Sequence, residues 1–405
     1  MTKSANDQLP MVIVGGGIGG IAAALALGNK GFKVLVLEQA SALGEIGAGI
    51  QIGPNAFHSF DALGLGDVLR GKAVYIDNLV LMDAMSDERI AAIPLDQPFR
   101  ERFGNPYAVV HRADLHAVLL DACRANRQIE IRVASQVKSY DQDEASVTVT
   151  LADGARVKGR ALIGADGLWS HIRRQMIDDG APRVSGHTTY RSVIPTAQMP
   201  EDLRWNAATL WAGPKCHIVH YPLKGGDVFN LVATYHNDAA EPTAGKPVSH
   251  EEVRRGFEHI CARALKIIDH GTNWKLWVLC DRAPIQNWVD GRVALLGDAA
   301  HPTLQYFAQG ACMALEDGVC LGETMDRLVN QHGKPIEQAL IAYNKARAVR
   351  TARIQLGSRL IGEYIYHPDG AMADVRNAAM RAKSPDDFYN DLQWLYGQPR
   401  STVAL

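Results

Sequence analysis

Apolar and polar positions fall into three blocks over the first forty residues. Met11-Val-Ile-Val14 is an unbroken apolar run with β-branched residues, which predicts a strand buried on both faces. Residues 18–30 carry helical spacing, and Lys33-Val-Leu-Val-Leu37 is a second apolar run. A glycine-rich turn joins the first strand to the helix, so the three blocks predict one βαβ unit.

The pattern then varies along the chain. Residues 54–70 have helical spacing, and residues 78–95 alternate on either side of a polar break at Ser86-Asp-Glu, which predicts a hairpin. Residues 112–126 place Leu115, Val118, Leu119 and Ala122 on one helical stripe. Strands are expected near 129–133, 145–151 and 155–164, the last two joined by Asp153-Gly154. From 183 to 236 longer alternating segments predict an antiparallel sheet in a separate layer. Residues 250–267 read as helix, 291–297 as a buried strand, 310–330 as helix, and a helix-rich region follows. No internal repeat or low-complexity linker interrupts this order.

Composition narrows the class. The 405 residues carry 42 Lys+Arg against 44 Asp+Glu, with 47% hydrophobic and 21% charged residues, the profile of a globular chain. A formal charge of −2 argues against nucleic-acid or acidic-membrane binding, which need a basic face. The six cysteines form no C-x-x-C pair and read as buried thiols of a cytoplasmic protein, with no disulfide framework and no metal site. Residues 9–29 are uncharged and largely apolar, but five glycines between Gly15 and Gly20 argue against a signal or membrane-spanning helix. Eleven of the 37 glycines lie between Gly15 and Gly53, a density that marks backbone held close to a ligand.

That cluster contains Gly15-Gly16-Gly17-Ile18-Gly19-Gly20, which fits G-x-G-x-x-G between a strand and a helix. Gly15 makes the tight turn, Gly17 admits a pyrophosphate, and Gly20 lets helix and strand pack closely. The helix N-terminus favours the phosphate charge. Glu38, 18 residues past Gly20, is placed to accept hydrogen bonds from a ribose. The fingerprint alone does not separate FAD from NAD.

Two further motifs bear on that choice. Leu162-Ile-Gly-Ala-Asp166-Gly167-Leu-Trp-Ser170-His-Ile-Arg173 and Leu296-Gly297-Asp298-Ala-Ala-His301-Pro302 each follow an apolar run. With the fingerprint, they make the chain resemble the single-component FAD-dependent aromatic hydroxylases (group A) from residue 10 to near the C-terminus. The resemblance implies an α/β fold: a Rossmann-like FAD-binding domain, an inserted antiparallel-sheet substrate domain and a helical C-terminal region. The FAD-binding domain would comprise 1–75, 105–180 and 285–350, the substrate domain 76–104 and 181–284, and the C-terminal region 351–405. It implies that Asp166 serves both FAD and the nicotinamide cofactor, and that Asp298 reaches FAD. Gly310 and Ala311 open the next helix, where N–H groups could face the reduced flavin. Arg112 matches a flavin-contacting arginine, with a surface ion pair as its other reading. Ala48 and Gln51 match a segment passing beside the flavin, and Val137 is a candidate backbone contact to adenine. A single fingerprint suggests firmly bound FAD, with NADH visiting as a transient co-substrate.

On the substrate side, His217-Ile-Val-His220-Tyr221 lies in an apparent strand, so His217 and Tyr221 share one face and His220 the other. A strand histidine is more often packed than catalytic. The context Gly213-Pro-x-Cys216-His217-x-x-x-Tyr221-Pro-Leu, with Leu304-Gln305-Tyr-x-Ala308-x-Gly310 and Pro106-Tyr107, most resembles the family members that hydroxylate 3-hydroxybenzoate. By that resemblance Tyr107, His217, Tyr221 and Gln305 line the pocket of a small aromatic acid, with His217 the base that removes the phenolic proton. The implied reaction uses NADH and O2 and passes through a flavin C4a-hydroperoxide to 2,5-dihydroxybenzoate. A homodimer is implied as well. Hydroxylation of salicylate or a hydroxynicotinate keeps the same fold, and a flavin oxidase or dehydrogenase without hydroxylation is a more distant alternative. Trp211, Trp277 and Trp288 read as core rather than pocket residues.

Overall fold

A computed structural model describes residues 8–44 and 49–397. The apolar runs at Met11–Val14, Val34–Leu37 and Ala161–Gly164 are buried at every position. They lie side by side in a six-stranded sheet. Its order is Val289–Asp290, Val293–Leu295, Ala161–Gly164, Met11–Val14, Val34–Leu37 and Ile129–Arg132. All neighbours pair in parallel except the first two. Continuous apolar sequence is what a parallel strand covered on both faces requires. The helix Ile18–Asn29 lies over this sheet, packed by the helix Gly310–Met325.

A second, eight-stranded sheet runs Ala244–Pro247, Lys275–Asp281, Arg183–Pro195, Val228–Ala239, Cys216–Leu223, Ala207–Gly213, Asn78–Asp83 and Arg89–Pro94. It gathers the 78–94 hairpin and the long alternating segments into one layer. The hairpin joins by a parallel pairing of Asn78–Asp83 with Ala207–Gly213, and the remaining pairs are antiparallel. One face packs Trp211, Ile218, Leu231 and Ala233 with Val253, Ala264 and Ile267 of the helices His250–Arg255 and Ala262–His270. The other face carries Thr189, Arg191, Val232, Thr234, His217, Val219 and Tyr221, which the strand register aligns in rows. Period two along each strand separates these faces.

Several elements are shorter than their sequence pattern predicts. The single strand expected over 155–164 is two. Arg156–Gly159 pairs antiparallel within a three-stranded sheet, and Ala161–Gly164 enters the parallel sheet. The sequence shifts there from half-exposed alternation to continuous burial, and Arg160 N–H bonds Pro10 O at the switch. The helix expected over 54–70 stops at Ala62, because Gly64 turns with φ 76°, and restarts as Gly66–Arg70. The 250–267 segment likewise divides into His250–Arg255 and Ala262–His270. The C-terminal helices Ile336–Ile361, Gly370–Arg381 and Pro385–Tyr396 fold back on the body. Tyr389 and Tyr396 there join Phe99, Phe103 and Tyr107 in an aromatic cluster.

Candidate active site

The three glycine-containing motifs meet because their strands are neighbours. Leu295, Gly164, Val14 and Leu37 end adjacent parallel strands, so Gly297-Asp298, Asp166-Gly167, Gly15-Gly16-Gly17 and Glu38 emerge along one sheet edge. That edge is where an open α/β sheet receives a ligand. Gly15 turns with φ 107°, and a Cβ there would stand 2.3 Å from Ala165 O. A Cβ on Gly20 would stand 2.0 Å from Gly15 O. Neither position accepts a side chain in this turn.

The helices starting at Ile18 and Gly310 have no side-chain cap, and Gly17, Ile18, Gly19, Gly310 and Ala311 all line one cavity of about 850 Å³. Uncapped N–H groups of this kind bind anions. Asp298 is exposed, lines the cavity, and brings its Oδ1 to 3.9 Å from the position of a Cβ on Gly310. Arg112, at the start of the helix Arg112–Ala125, and Gln51 also line the cavity. Glu38 accepts from Gly16 N–H and Ala40 N–H, both at 2.7 Å, while Ser135 N–H donates to its backbone oxygen. Val137 begins a strand two residues beyond that contact and is buried. Ala48 lies outside the described residues.

Asp166 has a local task. Its carboxylate accepts from Ser170 Oγ at 2.5 Å and from His171 N–H at 2.7 Å, at the start of the helix His171–Ile177. Burial raises its pKa above the usual carboxylate value against these donors. Its neighbours Ala165 and Gly167, rather than Asp166 itself, line the cavity. The turn carrying Asp298 is fixed from below by Asp317, whose Oδ2 accepts Gly297 N–H at 3.0 Å and faces His301 Nε2 at 2.5 Å. Burial pushes Asp317 up, but His301 and Arg347 outweigh it and bring it down to about 2.

At the other end of the same cavity, the strand Cys216–Leu223 presents His217 and Tyr221, and Gln305 and Tyr107 stand nearby. Gln305 is held at both ends of its amide. Its Nε2 donates to Thr234 Oγ1 at 2.9 Å and Thr189 Oγ1 at 3.2 Å, and its Oε1 faces Arg191 Nη2 at 3.4 Å. Tyr107 OH donates to Gln51 Oε1 at 2.6 Å. His217 Nδ1 lies 2.7 Å from His367 Nε2. Burial, then the neighbouring imidazoles of His367 and His187, holds the His217 pKa well below the ordinary histidine value. His220, on the opposite sheet face, accepts from Trp211 Nε1 at 3.2 Å, and burial pushes its pKa down to about 3. Trp211 and Trp288 are fully buried, and Trp277 lies under the Arg191 guanidinium at 5.3 Å.

Two residues at this end, one lining the cavity and one behind His217, escaped the sequence reading. Arg191 lines the cavity with its Nε unbonded, and among the described residues no carboxylate pairs with it. Burial lowers its pKa, and the nearby Arg112 charge acts in the same direction. Period two would place Arg191 on the Thr189 face, an available signal in the Thr-Tyr-Arg alternation. His367 stands 150 residues from His217, and nothing in its local sequence marks it. Among the described residues, no group of three or more His, Cys, Asp or Glu is placed to hold a metal ion. Among those residues no helix is long and apolar enough to cross a membrane.

The cavity thus joins a glycine-walled end with uncapped helix N-termini to an end carrying a guanidinium with no carboxylate partner among the described residues, an imidazole and hydrogen-bonding side chains. Such a shape suits a dinucleotide laid across the sheet edge, with its reactive ring beside a small anionic aromatic molecule. Comparison with known proteins bears on both ends. The FAD binding domain family matches residues 8–356. The chain is 54% identical to 3-hydroxybenzoate 6-hydroxylase 1 of Aquipseudomonas alcaligenes over 96% of this chain and 97% of that protein. It is 51% identical to 3-hydroxybenzoate 6-hydroxylase of Polaromonas naphthalenivorans over 96% of each. Among solved structures, Klebsiella pneumoniae HpxO complexed with FAD and uric acid superposes with a TM-score of 0.84 at 26% identity. That match covers 98% of this chain and 100% of HpxO.

Proposed function

This chain belongs to the FAD binding domain family and is an FAD-dependent monooxygenase; we propose that it hydroxylates 3-hydroxybenzoate with NADH and O2 to give 2,5-dihydroxybenzoate. The observation that carries the reading is the 54% identity to a 3-hydroxybenzoate 6-hydroxylase over nearly the whole of both chains. The cavity chemistry agrees with it. Gly17, Gly19, Asp298, Gly310 and Arg112 would hold FAD, whose bound ring supplies the route for electrons from NADH and for transfer of one oxygen atom from O2.

The residues at the far end handle the substrate. The Arg191 guanidinium receives the carboxylate, its missing counter-charge supplied by the ligand. His217 takes the phenolic proton at Nε2. Its depressed pKa keeps the ring neutral near pH 7, the form able to accept that proton. Loss of the proton raises electron density at the carbons ortho and para to the oxygen, and the para carbon of 3-hydroxybenzoate is C6. Gln305, held by both threonines and facing Arg191, and Tyr221 orient the ring.

A homodimer belongs to the same reading, supported by exposed Val349, Leu356 and Leu360 on one long C-terminal helix, with Met372 and Val375 on the next. Six free thiols fit a cytoplasmic setting. The test is NADH consumption by the purified holoenzyme across the hydroxybenzoate isomers, with the products identified and NADPH run in parallel. The expected result is 2,5-dihydroxybenzoate from 3-hydroxybenzoate, faster with NADH. Catechol and CO2 from salicylate as the main coupled reaction would overturn the substrate assignment.

A further inference from the structure

We propose that His367 is the positioning partner of His217, fixing its tautomer and receiving its Nδ1 proton when His217 takes the proton of the substrate. The inference rests on the reading of His217 as the base. Two imidazole nitrogens 2.7 Å apart share one proton, since two lone pairs or two N–H groups at that distance repel. For His217 to accept at Nε2, its Nδ1 must carry the hydrogen and donate to His367 Nε2. His367 then carries its own hydrogen at Nδ1. The orientation of one ring therefore dictates the protonation of the other.

The proton count closes. The phenol O–H bond breaks and a His217 Nε2–H bond forms. The His217 Nδ1 proton moves to His367 Nε2, and His367, which is partly exposed, releases its Nδ1 proton to solvent water. Both rings end neutral with hydrogen on Nε2, and the His367 N–H now donates to His217 Nδ1. Return of the His217 proton to the product oxygen, with uptake of one proton at His367 Nδ1, resets the pair.

Other imidazoles pack around the pair without bonding to it. The His367 ring centroid lies 5.0 Å from that of His187, and the His187 ring lies 4.3 Å from His236. His236 Nε2 is 3.3 Å from Asp238 Oδ1, whose side chain is 83% exposed. These are ring contacts, and His187 Nδ1 is taken by Tyr306 OH. The pair's remaining neighbours are Tyr366 against the His217 ring and Arg183 on the His187 side. The other bonded histidines near the core behave differently. His116 faces Gly16 O, His58 faces Phe103 O, and His301 faces a carboxylate. Those partners hold a ring in place. An imidazole partner can also change its protonation.

Three holoenzyme variants test this: His217→Ala, His367→Phe and His367→Gln. Coupling of NADH oxidation to product, KM, kcat and the pH profile of kcat are measured for each. His367→Phe is expected to lower kcat by about tenfold or more with KM within about twofold, and to shift the acid limb of the profile. His367→Gln, able to accept or donate at that place, is expected to recover part of kcat and decides the matter if the Phe variant fails to hold FAD. Wild-type kcat and pH profile in both His367 variants, with coupling lost in His217→Ala, overturn the positioning role of His367 and leave the base assignment standing. Wild-type coupling in His217→Ala overturns the base assignment itself.

Discussion

Two buried polar clusters flank the cavity, and they are built on opposite principles. Under the Asp298 turn, Arg347 reaches Asp317 Oδ1 at 2.6 Å and Glu316 Oε2 at 2.5 Å, and Arg350 reaches both Glu316 oxygens at 2.7 and 2.8 Å. His301 and Asn55 complete the set. Two carboxylates meet two guanidiniums, and the charges cancel. Across the cavity, Arg191 and the His217–His367 pair have no carboxylate bonded to them among the described residues. A charge removed from water must be matched, so the first cluster is complete as it stands. The second is matched only when an anion arrives. Balance marks the part of the site that holds its shape, and imbalance marks the part that waits for a ligand.

The largest effect should come from breaking the balanced cluster. Arg347→Met leaves Asp317 and part of Glu316 buried without their cation. The expected loss is about 3–5 kcal/mol in urea denaturation, together with weakened FAD retention, because Asp317 holds Gly297 N–H. A loss under about 1 kcal/mol would mean the network is ornamental and would break the contrast.

The opposite substitution tests the unbalanced side. Arg191→Met removes a part-buried charge that has no carboxylate partner among the described residues, so stability should hold or rise. Binding of 3-hydroxybenzoate should weaken by roughly 10- to 100-fold, the worth of a lost charge-assisted hydrogen bond or pair of bonds. Titration of the flavin absorbance gives the Kd, and thermal unfolding gives the stability. Destabilisation with unchanged Kd would move Arg191 into the structural class.

The two clusters also differ in how far the sequence reveals them. The flavin end is carried by backbone, and a strand, a bare turn and a helix must be contiguous to make it. Gly15, Gly17, Gly20, Asp298 and Gly310 therefore stand in short readable strings. The substrate end is assembled from side chains on separate strands and turns. Period two correctly puts His217 and Tyr221 on one face and His220 on the other, since that relation is local. It puts Arg191 on the face of Thr189, but it does not say that this face meets His217, Thr234 or His367, which arrive by sheet register and by the fold-back of the C-terminal helices. The division at Arg160 was hidden for a related reason. One ten-residue stretch serves two sheets, and only tertiary pairing shows where it changes partner.

Tyr107 sits between the two regimes and should give the smallest effect. Its ring packs 6.0 Å from that of Tyr396, and its hydroxyl donates to Gln51 Oε1 on the strand Gly49–Ile52, so it ties the flavin-side strand to the aromatic cluster. The resemblance to aromatic hydroxylases instead implies a substrate contact. Tyr107→Phe keeps the ring and removes only the donor, which separates the two roles. If the hydroxyl serves Gln51, stability falls by about 0.5–1.5 kcal/mol in chemical denaturation while the KM for 3-hydroxybenzoate moves less than about threefold. If it serves the substrate, KM rises by about tenfold with little change in stability. The hydroxyl has a partner already within 2.6 Å, as the members of the balanced cluster do, so the first outcome is the one expected.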